Sequence, residues 1–443
     1  MKGIIKEIIN VFHKSNKTNC VRRNIELPIG IEKIISVIGV RRCGKTYLLL
    51  DTINRIIEKG ISKKNIIYIN FEDERLNLDN SNLDLILQSY HELYPEIENK
   101  DIWFFFDEIQ NINSWEKFVR RIYDTVSKNI YITGSNAKFL SSDIATSLRG
   151  RAITYEVFPY SFDEYLRHKK IDTNIYLPQN KAKIINNYYE YLKNGGFPET
   201  VNTEKRLRNE ILRNYFYVML YKDLIERYKI TSTVILKQFI EKIAENITNP
   251  FSVNKIYNQF KSQGFKLDKN ILYEINTYVE NIYLAFSISK FDYSIKKRTA
   301  SLKKVYFIDN GLLNTLITAY SNNYGKLLEN VIYLYLKQNY SVSYEQNIFY
   351  YKNVKECDFV LLKDNKIKTL IQVSHSVEDD VTLKRELAGL KQVMKEYKLT
   401  TGYIITSEQE YTINENNFVI KIIPAYKLLL DDNFFNKQKN TFA

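Results

Sequence analysis

Cysteine is scarce in this 443-residue chain: Cys20, Cys43 and Cys357 stand alone, with no paired spacing. That scarcity excludes a disulfide framework and a cysteine-built zinc site, and it fits a reducing compartment. Long apolar runs are missing as well. No uninterrupted stretch approaches the length of a membrane span, and the opening residues carry scattered charges where a signal peptide would have its apolar core. The expectation is a cytoplasmic protein with no membrane contact. Glycine is rare too, at 14 residues, so two glycines bracketing a short basic loop stand out.

Acidic residues are outnumbered, 51 against 64 lysines and arginines, for a net charge of +13. A basic balance suits a nucleic-acid partner. It equally suits a coding sequence rich in Ile, Asn, Lys and Tyr, as an AT-rich genome produces without selection for DNA. The length calls for about two to four domains, and a hydrophobic content of 44% is that of a folded chain.

The segment "KIISVIGV" (33–40) is a β-branched run ending at a glycine, as a buried parallel strand does. "KTYLLLDTINRIIEKG" (45–60) has helical apolar spacing and stops at Gly60. The loop between them, "GVRRCGKT", therefore has the strand–loop–helix context of a phosphate-binding loop. Its backbone, from Gly39 through Val40, Arg41, Arg42, Cys43 and Gly44, would turn N–H groups onto phosphates at a helix N-terminus. Lys45 would reach the β- and γ-phosphates of ATP, the Thr46 hydroxyl would ligate magnesium, and Tyr47 follows in the first helical turn. The Cys43 thiol, at a helix N-terminus, is a candidate for a lowered pKa and reactivity, against the plainer reading of a small residue that fits.

"DIWFFFDEIQ" (101–110) is an apolar strand running into two acids. Asp107 suits the carboxylate that holds magnesium's hydration shell, and Glu108 is placed to polarise a water for attack on the γ-phosphate. "NIIYINFED" (65–73) supplies a strand between the two motifs and "NIYITGSN" (129–136) one after them. An extra strand between the lysine and acid motifs is the pattern of AAA-type ATPases. Asn136, with Ser135, then falls where that branch carries its first sensor of the γ-phosphate; a plain turn is the competing reading.

Taken in order, "GVRRCGKT", "FFFDEIQN", "YITGSNAKFL", "LRGRAITYEVFPYSFDEYL" and "GGFPETV" resemble a group of prokaryotic predicted AAA-family ATPases, from about residue 20 to 430. Those proteins end in a domain of unknown function that looks like a restriction-endonuclease fold. The resemblance implies that Arg151 acts as an arginine finger or sensor, with Arg149 second and a structural ion pair the alternative. The fold class expected is α/β: a P-loop NTPase with a parallel sheet (1–159), a helical lid or linker (160–231), a winged helix (232–315) and a restriction-endonuclease-like α/β domain (316–443).

Within the linker, "NEILRNYFYVMLYKDLIERYKI" (209–230) is the clearest helix. After it, a helix capped by Ser252 and stopped at Gly264, a second helix from Asp268, and a hairpin give the order of a winged helix. Its second helix carries Glu274 and Glu280 and is a poor reader of bases. The hairpin tip clusters Lys296, Lys297, Arg298, Lys303 and Lys304 with no acid among them, which suits phosphate contacts. Docking of a protein partner is the alternative. In the last domain Glu329, Asp358, beside Glu356, and Gln372 form the skeleton of a metal-dependent nuclease, but Ser374 stands where a lysine would orient the water. The lysine is missing, so a folded, non-cleaving domain is expected, unless Lys384 or Lys355 substitutes in space; His375 is read as a packed residue. The chain is expected to hydrolyse ATP with magnesium and couple the cycle to a partner, DNA foremost, with oligomerisation open. An ATP-gated nuclease and a nucleotide-dependent protein-interaction switch are the rivals.

Overall fold

Every residue of Ile34–Gly39 (β1), Trp103–Asp107 (β3) and Ile130–Gly134 (β4) is buried, which is why these strands read as continuous apolar runs with no alternation. With Ile66–Asn70 (β2) and Ala152–Val157 (β5) they form a five-stranded sheet ordered β2-β3-β4-β1-β5. All four pairings are parallel. Parallel strands end on one side, so Gly39, Asp107 and Gly134 close the same edge. Chain order reverses around β1, and ligands of open α/β sheets bind at that point. Lys45–Glu58 (α1) follows β1 directly.

The computed structural model describes residues 1–134, 147–317, 323–340, 347–415 and 417–437, in two compact units, Met1–Phe158 and Pro159–Ala443. Among the described residues no helix is long and apolar enough to cross a membrane.

In the second unit the helix expected over 209–230 is Lys205–Val218 (α2), and its continuation Met219–Glu226 widens to a π-helix. Next come Thr233–Glu245 (α3), Pro250–Phe251 (β6), Val253–Ser262 (α4), Lys269–Asn281 (α5), Ala285–Ser289 (β7), Ile295–Ala300 (α6) and Lys303–Phe307 (β8). The three strands form an antiparallel sheet ordered β6-β8-β7. The Ser252 hydroxyl accepts the Lys255 N–H, the Asp268 carboxylate accepts that of Asn270, and Gly264 takes φ +87°. The hairpin tip is not a bare turn: it holds α6, capped by Ser294.

Tyr324–Tyr340 (α7) leads into a six-stranded sheet ordered β13-β14-β12-β11-β10-β9. Its strands are Ile348–Lys352 (β9), Glu356–Lys363 (β10), Lys366–Val373 (β11), Thr401–Thr406 (β12), Tyr411–Glu415 (β13) and Phe418–Pro424 (β14). Only β11–β12 and β12–β14 pair in parallel, and the crossover between β11 and β12 is the helix Asp380–Glu396 (α8). Phe349, Val360, Leu370, Leu390, Ile404 and Ile420 form its core.

A polar seam ties the "GGFP" break to the segment after β8. The buried Asp309 carboxylate accepts the N–H of Gly196 at 2.7 Å and of Leu312 at 2.9 Å. Asn310 donates to the carbonyls of Leu192 and Leu327, and Asn330 donates to Asn310. Gly195 is required here: its φ is +75°, and a Cβ would fall 2.1 Å from Asp309 Oδ1.

Candidate functional site

Gly39 ends β1 with φ +151°, and a Cβ there would meet the Val157 carbonyl oxygen at 2.1 Å; only glycine lets the loop leave the sheet against β5. Val40 and Cys43 are fully buried, Arg42 takes φ +65°, and Gly44 caps α1 with φ +102°. Arg41 pairs with Glu72 at 3.0 Å, and Tyr47 is exposed. Lys45, 3% exposed, donates to the loop's own carbonyls at Gly39 and Val40, both at 3.2 Å, and lies 3.5 Å from Glu108 Oε1. Burial works most strongly against its charge, but Glu108, Cys43 and Asp107 together outweigh that and raise its pKa.

Asp107 joins the loop to the sheet. Its Oδ2 accepts the Thr46 hydroxyl at 2.8 Å and the Tyr68 hydroxyl at 3.0 Å, and its Oδ1 accepts the Thr133 hydroxyl at 2.5 Å. Burial pushes its carboxyl above the usual carboxylate range, while Thr133 and Thr46 pull it back. Thr133 also accepts the Glu108 N–H at 2.8 Å. Glu108 takes the left-handed conformation, φ +52°, which β-branched or bulky residues adopt at a cost. That turn brings its carboxylate to Lys45 on one side and to the Gln110 amide on the other. Loop, acid strand and neighbouring strands thus present a hydroxyl, two carboxylates and an ammonium together: oxygen ligands for a hard cation, and a cation for phosphate.

Sequence reasoning missed three members. Tyr68, midway along β2, and Thr133, next to last on β4, hold Asp107 from the two strands flanking β3. A polar residue there, in an otherwise apolar strand, was the available signal. Arg23 is buried, donating to the Cys43 carbonyl at 2.9 Å and the Phe158 carbonyl at 2.7 Å; nothing local in the sequence marked it. Ser135 and Asn136 lie outside the described residues.

Arg151 does not join this cluster. It precedes β5 at the strand's N-terminal end, beside Ile34, so the sheet separates it from the loop after Gly39. Its guanidinium makes two bonds to Asp124, at 3.0 and 3.1 Å. A sensor role at the nucleotide of its own chain is therefore excluded, and a finger role requires a neighbouring copy. Arg149, exposed with φ +51°, lies in the same turn. The reactive-thiol reading of Cys43 is also overturned: the side chain is fully buried, and burial pushes its thiol up, not down.

In the second unit Lys296, Lys297 and Lys303 are exposed at the hairpin, with Lys297 3.8 Å from Asp292 and Arg298 over the Phe349 ring. Lys304 is not part of that surface. Neighbouring strand residues face opposite ways, so Lys304 turns inward, 1% exposed, onto Glu329, Glu356 and Asp358. Glu280, counted above as a surface acid, is largely buried and accepts the Ser287 hydroxyl. Gln372 meets the Asp358 N–H at 3.2 Å, whereas Ser374 donates away from the cluster, to the Ser376 carbonyl. Lys355 and Lys384 are exposed. His375 packs on the Tyr324 ring and bonds Ser407 at 2.7 Å.

A family model described as an AAA domain matches residues 31–166, and a model of a domain of unknown function matches residues 185–323. An uncharacterized protein of Methanocaldococcus jannaschii is 35% identical over 433 residues, 95% of this chain and 93% of the relative. An uncharacterized protein of Haemophilus influenzae is 30% identical over 378 residues, 85% of this chain and 90% of its own length. Among solved structures, the Aeropyrum pernix ORC1 protein in complex with DNA aligns with 73% of this chain and 92% of its own at 12% identity. Its TM-score of 0.29 is too low to carry an argument.

Burial sets the reactivity of all three thiols. Cys20 is half-buried and pushed up to about 11, while Cys43 and Cys357 are fully buried. Iodoacetamide on the native protein should label Cys20 slowly and leave the other two until denaturant is added, as read by peptide mass spectrometry. Labelling of Cys43 in the native protein as fast as Cys20 would contradict this packing.

Proposed function

We propose that this chain, which belongs to one family with the Methanocaldococcus jannaschii and Haemophilus influenzae proteins and carries the AAA domain in its first unit, hydrolyses ATP with magnesium and uses the cycle to change its grip on DNA. The observation that carries the hydrolytic part is Asp107 holding the Thr46 hydroxyl at 2.8 Å while Glu108 lies 3.5 Å from Lys45. Thr46 and Asp107 would hold magnesium, and their hydroxyl and carboxylate oxygens suit a hard cation. Magnesium, when bound, neutralises phosphate charge. Lys45 exchanges the loop carbonyls for phosphate oxygens, Glu108 takes the proton of the attacking water, and Thr133 keeps both acids aimed.

Support for DNA comes from the second unit. The order α3-β6-α4-α5-β7-α6-β8 with sheet order β6-β8-β7 supports a winged helix, with Lys296, Lys297 and Lys303 exposed at its wing. With Glu280 turned inward, the outer face of α5 offers Lys269, Asn270, Tyr273 and Thr277 with Glu274 as its acid, a less acidic face than the sequence suggested. The six-stranded sheet with α7 before it and α8 as crossover supports a restriction-endonuclease-like fold. One observation favours the second reading, a protein partner: Tyr293, Ile295 and Leu302 around the wing are 65%, 71% and 50% exposed. A finger role for Arg151 toward a neighbouring subunit stays within the proposal.

Glu108→Gln should keep ATP affinity and slow turnover by about 10² or more, since the proton acceptor is lost, whereas Lys45→Ala should weaken ATP binding itself. Binding of a fluorescent ATP analogue and phosphate release separate the two; wild-type turnover in Glu108→Gln removes that residue's role. For the partner, neutralising Lys296, Lys297 and Arg298 together should weaken DNA binding on every sequence alike. The salt slope should flatten by about 0.7 to 0.9 per lost phosphate contact. Unchanged affinity in fluorescence anisotropy would move the wing to protein docking.

A further inference from the structure

A divalent-metal nuclease of the fold proposed for the second unit needs a cation between a helix acid and a strand acid. Here the helix acid is Glu329 on α7 and the strand acid is Asp358 on β10. Asp358 is fixed in place, its Oδ2 accepting the Val373 N–H at 2.9 Å. Gln372 is committed elsewhere, with its oxygen on the Asp358 N–H at 3.2 Å and its amide on Glu386 at 2.5 Å, and Glu386 in turn pairs with Arg385. Into this centre β8 sends Lys304. Its ammonium lies 3.0 Å from Glu329 Oε1, 3.0 Å from Asp358 Oδ1 and 2.6 Å from Glu356 Oε1. An ammonium has three N–H donors and no more, and each has a carboxylate. Tyr306 donates to Glu329 as well, at 2.9 Å.

These residues do not fit a metal. An ion in reach of both Glu329 and Asp358 would share those oxygens with a fixed positive charge, at contact distance and out of solvent. Among the described residues no group of three His, Cys, Asp or Glu side chains is arranged to hold a metal ion. Burial opposes the ammonium charge, yet the surrounding carboxylates outweigh it and hold Lys304 protonated.

We propose that Lys304 stands where a metal-dependent nuclease of this fold binds its divalent cation, so that the second unit is a non-cleaving body whose acidic centre carries its own built-in counter-ion. The inference rests on the nuclease-like reading above. It gives the missing lysine a different meaning from substitution at Ser374: a lysine is present, but it makes three carboxylate contacts and replaces the ion instead of orienting a water beside it. It also explains why the wing and the six-stranded sheet belong to one body. The lysine joins β8 to α7 and β10, and the hairpin also meets β9, where Phe291 N–H bonds the Tyr350 carbonyl at 2.7 Å and the Tyr350 hydroxyl bonds the Leu302 carbonyl at 2.6 Å. Opening such a pair leaves an uncompensated buried charge.

The test is manganese binding to the nucleotide-free full-length protein, read by electron paramagnetic resonance, with dependence on Asp358 separating this centre from the ATP site. The wild type should show no manganese signal that Asp358→Asn removes. Lys304→Gln should gain an Asp358-dependent signal that the wild type lacks, and Lys304→Gln with Asp358→Asn should lose it. An Asp358-dependent signal in the wild type overturns the proposal and leaves the nuclease-like fold standing. Silence in both wild type and a folded Lys304→Gln overturns the proposal together with that reading, since the acids then frame no cation position. Where Lys304→Gln does not fold, adding Glu329→Gln and Asp358→Asn decides: recovery of the cooperative thermal transition supports an ammonium serving as counter-ion to those acids, and continued failure overturns it.

Discussion

The hydrogen bond from Thr46 to Asp107 couples the loop after β1 to the acid at the end of β3, and the first unit's chemistry depends on it. Those residues are far apart in sequence, and β4 runs between their strands. Only a parallel sheet with β1 displaced beyond β4 brings both ends to one edge. Tyr68 and Thr133 then complete the shell of a carboxylate that burial alone would favour in its neutral form. A buried acid with three hydroxyl donors is held in one orientation at little cost in unsatisfied oxygen. The same shell fixes the Glu108 backbone, so Asp107 and Glu108 are positioned as a pair.

The first unit was legible because its signals are local. Apolar strands ending in Gly39 and Asp107, a helix opening on Lys45, and the spacing between them specify a parallel α/β sheet without long-range information. What escaped lies across strands. Tyr68 and Thr133 matter through which strand neighbours β3, and Arg23 through a loop that folds back on it. The place of Arg151 was hidden for the same reason: nearness in sequence to β5 does not disclose which end of the sheet it occupies, or its ion pair with Asp124.

In the second unit caps and breaks were readable at Ser252, Gly264 and Asp268, whereas charge was not. A run of bases looks like a surface until strand alternation sends Lys303 outward and Lys304 inward. Glu280 was miscounted as exposed for a parallel reason, its helix face being covered by β7. The hairpin and the acidic sheet proved to be chemically joined, which no spacing between residues 304 and 358 discloses. Burial of a lysine against three carboxylates is a costly arrangement unless every charge is met, and here every ammonium hydrogen is.

The account's central claim is that Thr46 and Asp107 act as one magnesium-holding pair. Its most direct test is a magnesium titration of ATP turnover in Thr46→Ala beside wild type, at saturating ATP. The account predicts that the variant needs substantially more magnesium for half-maximal turnover, because one oxygen ligand and the partner orienting Asp107 are both gone. An unchanged magnesium dependence in a folded Thr46→Ala would contradict it.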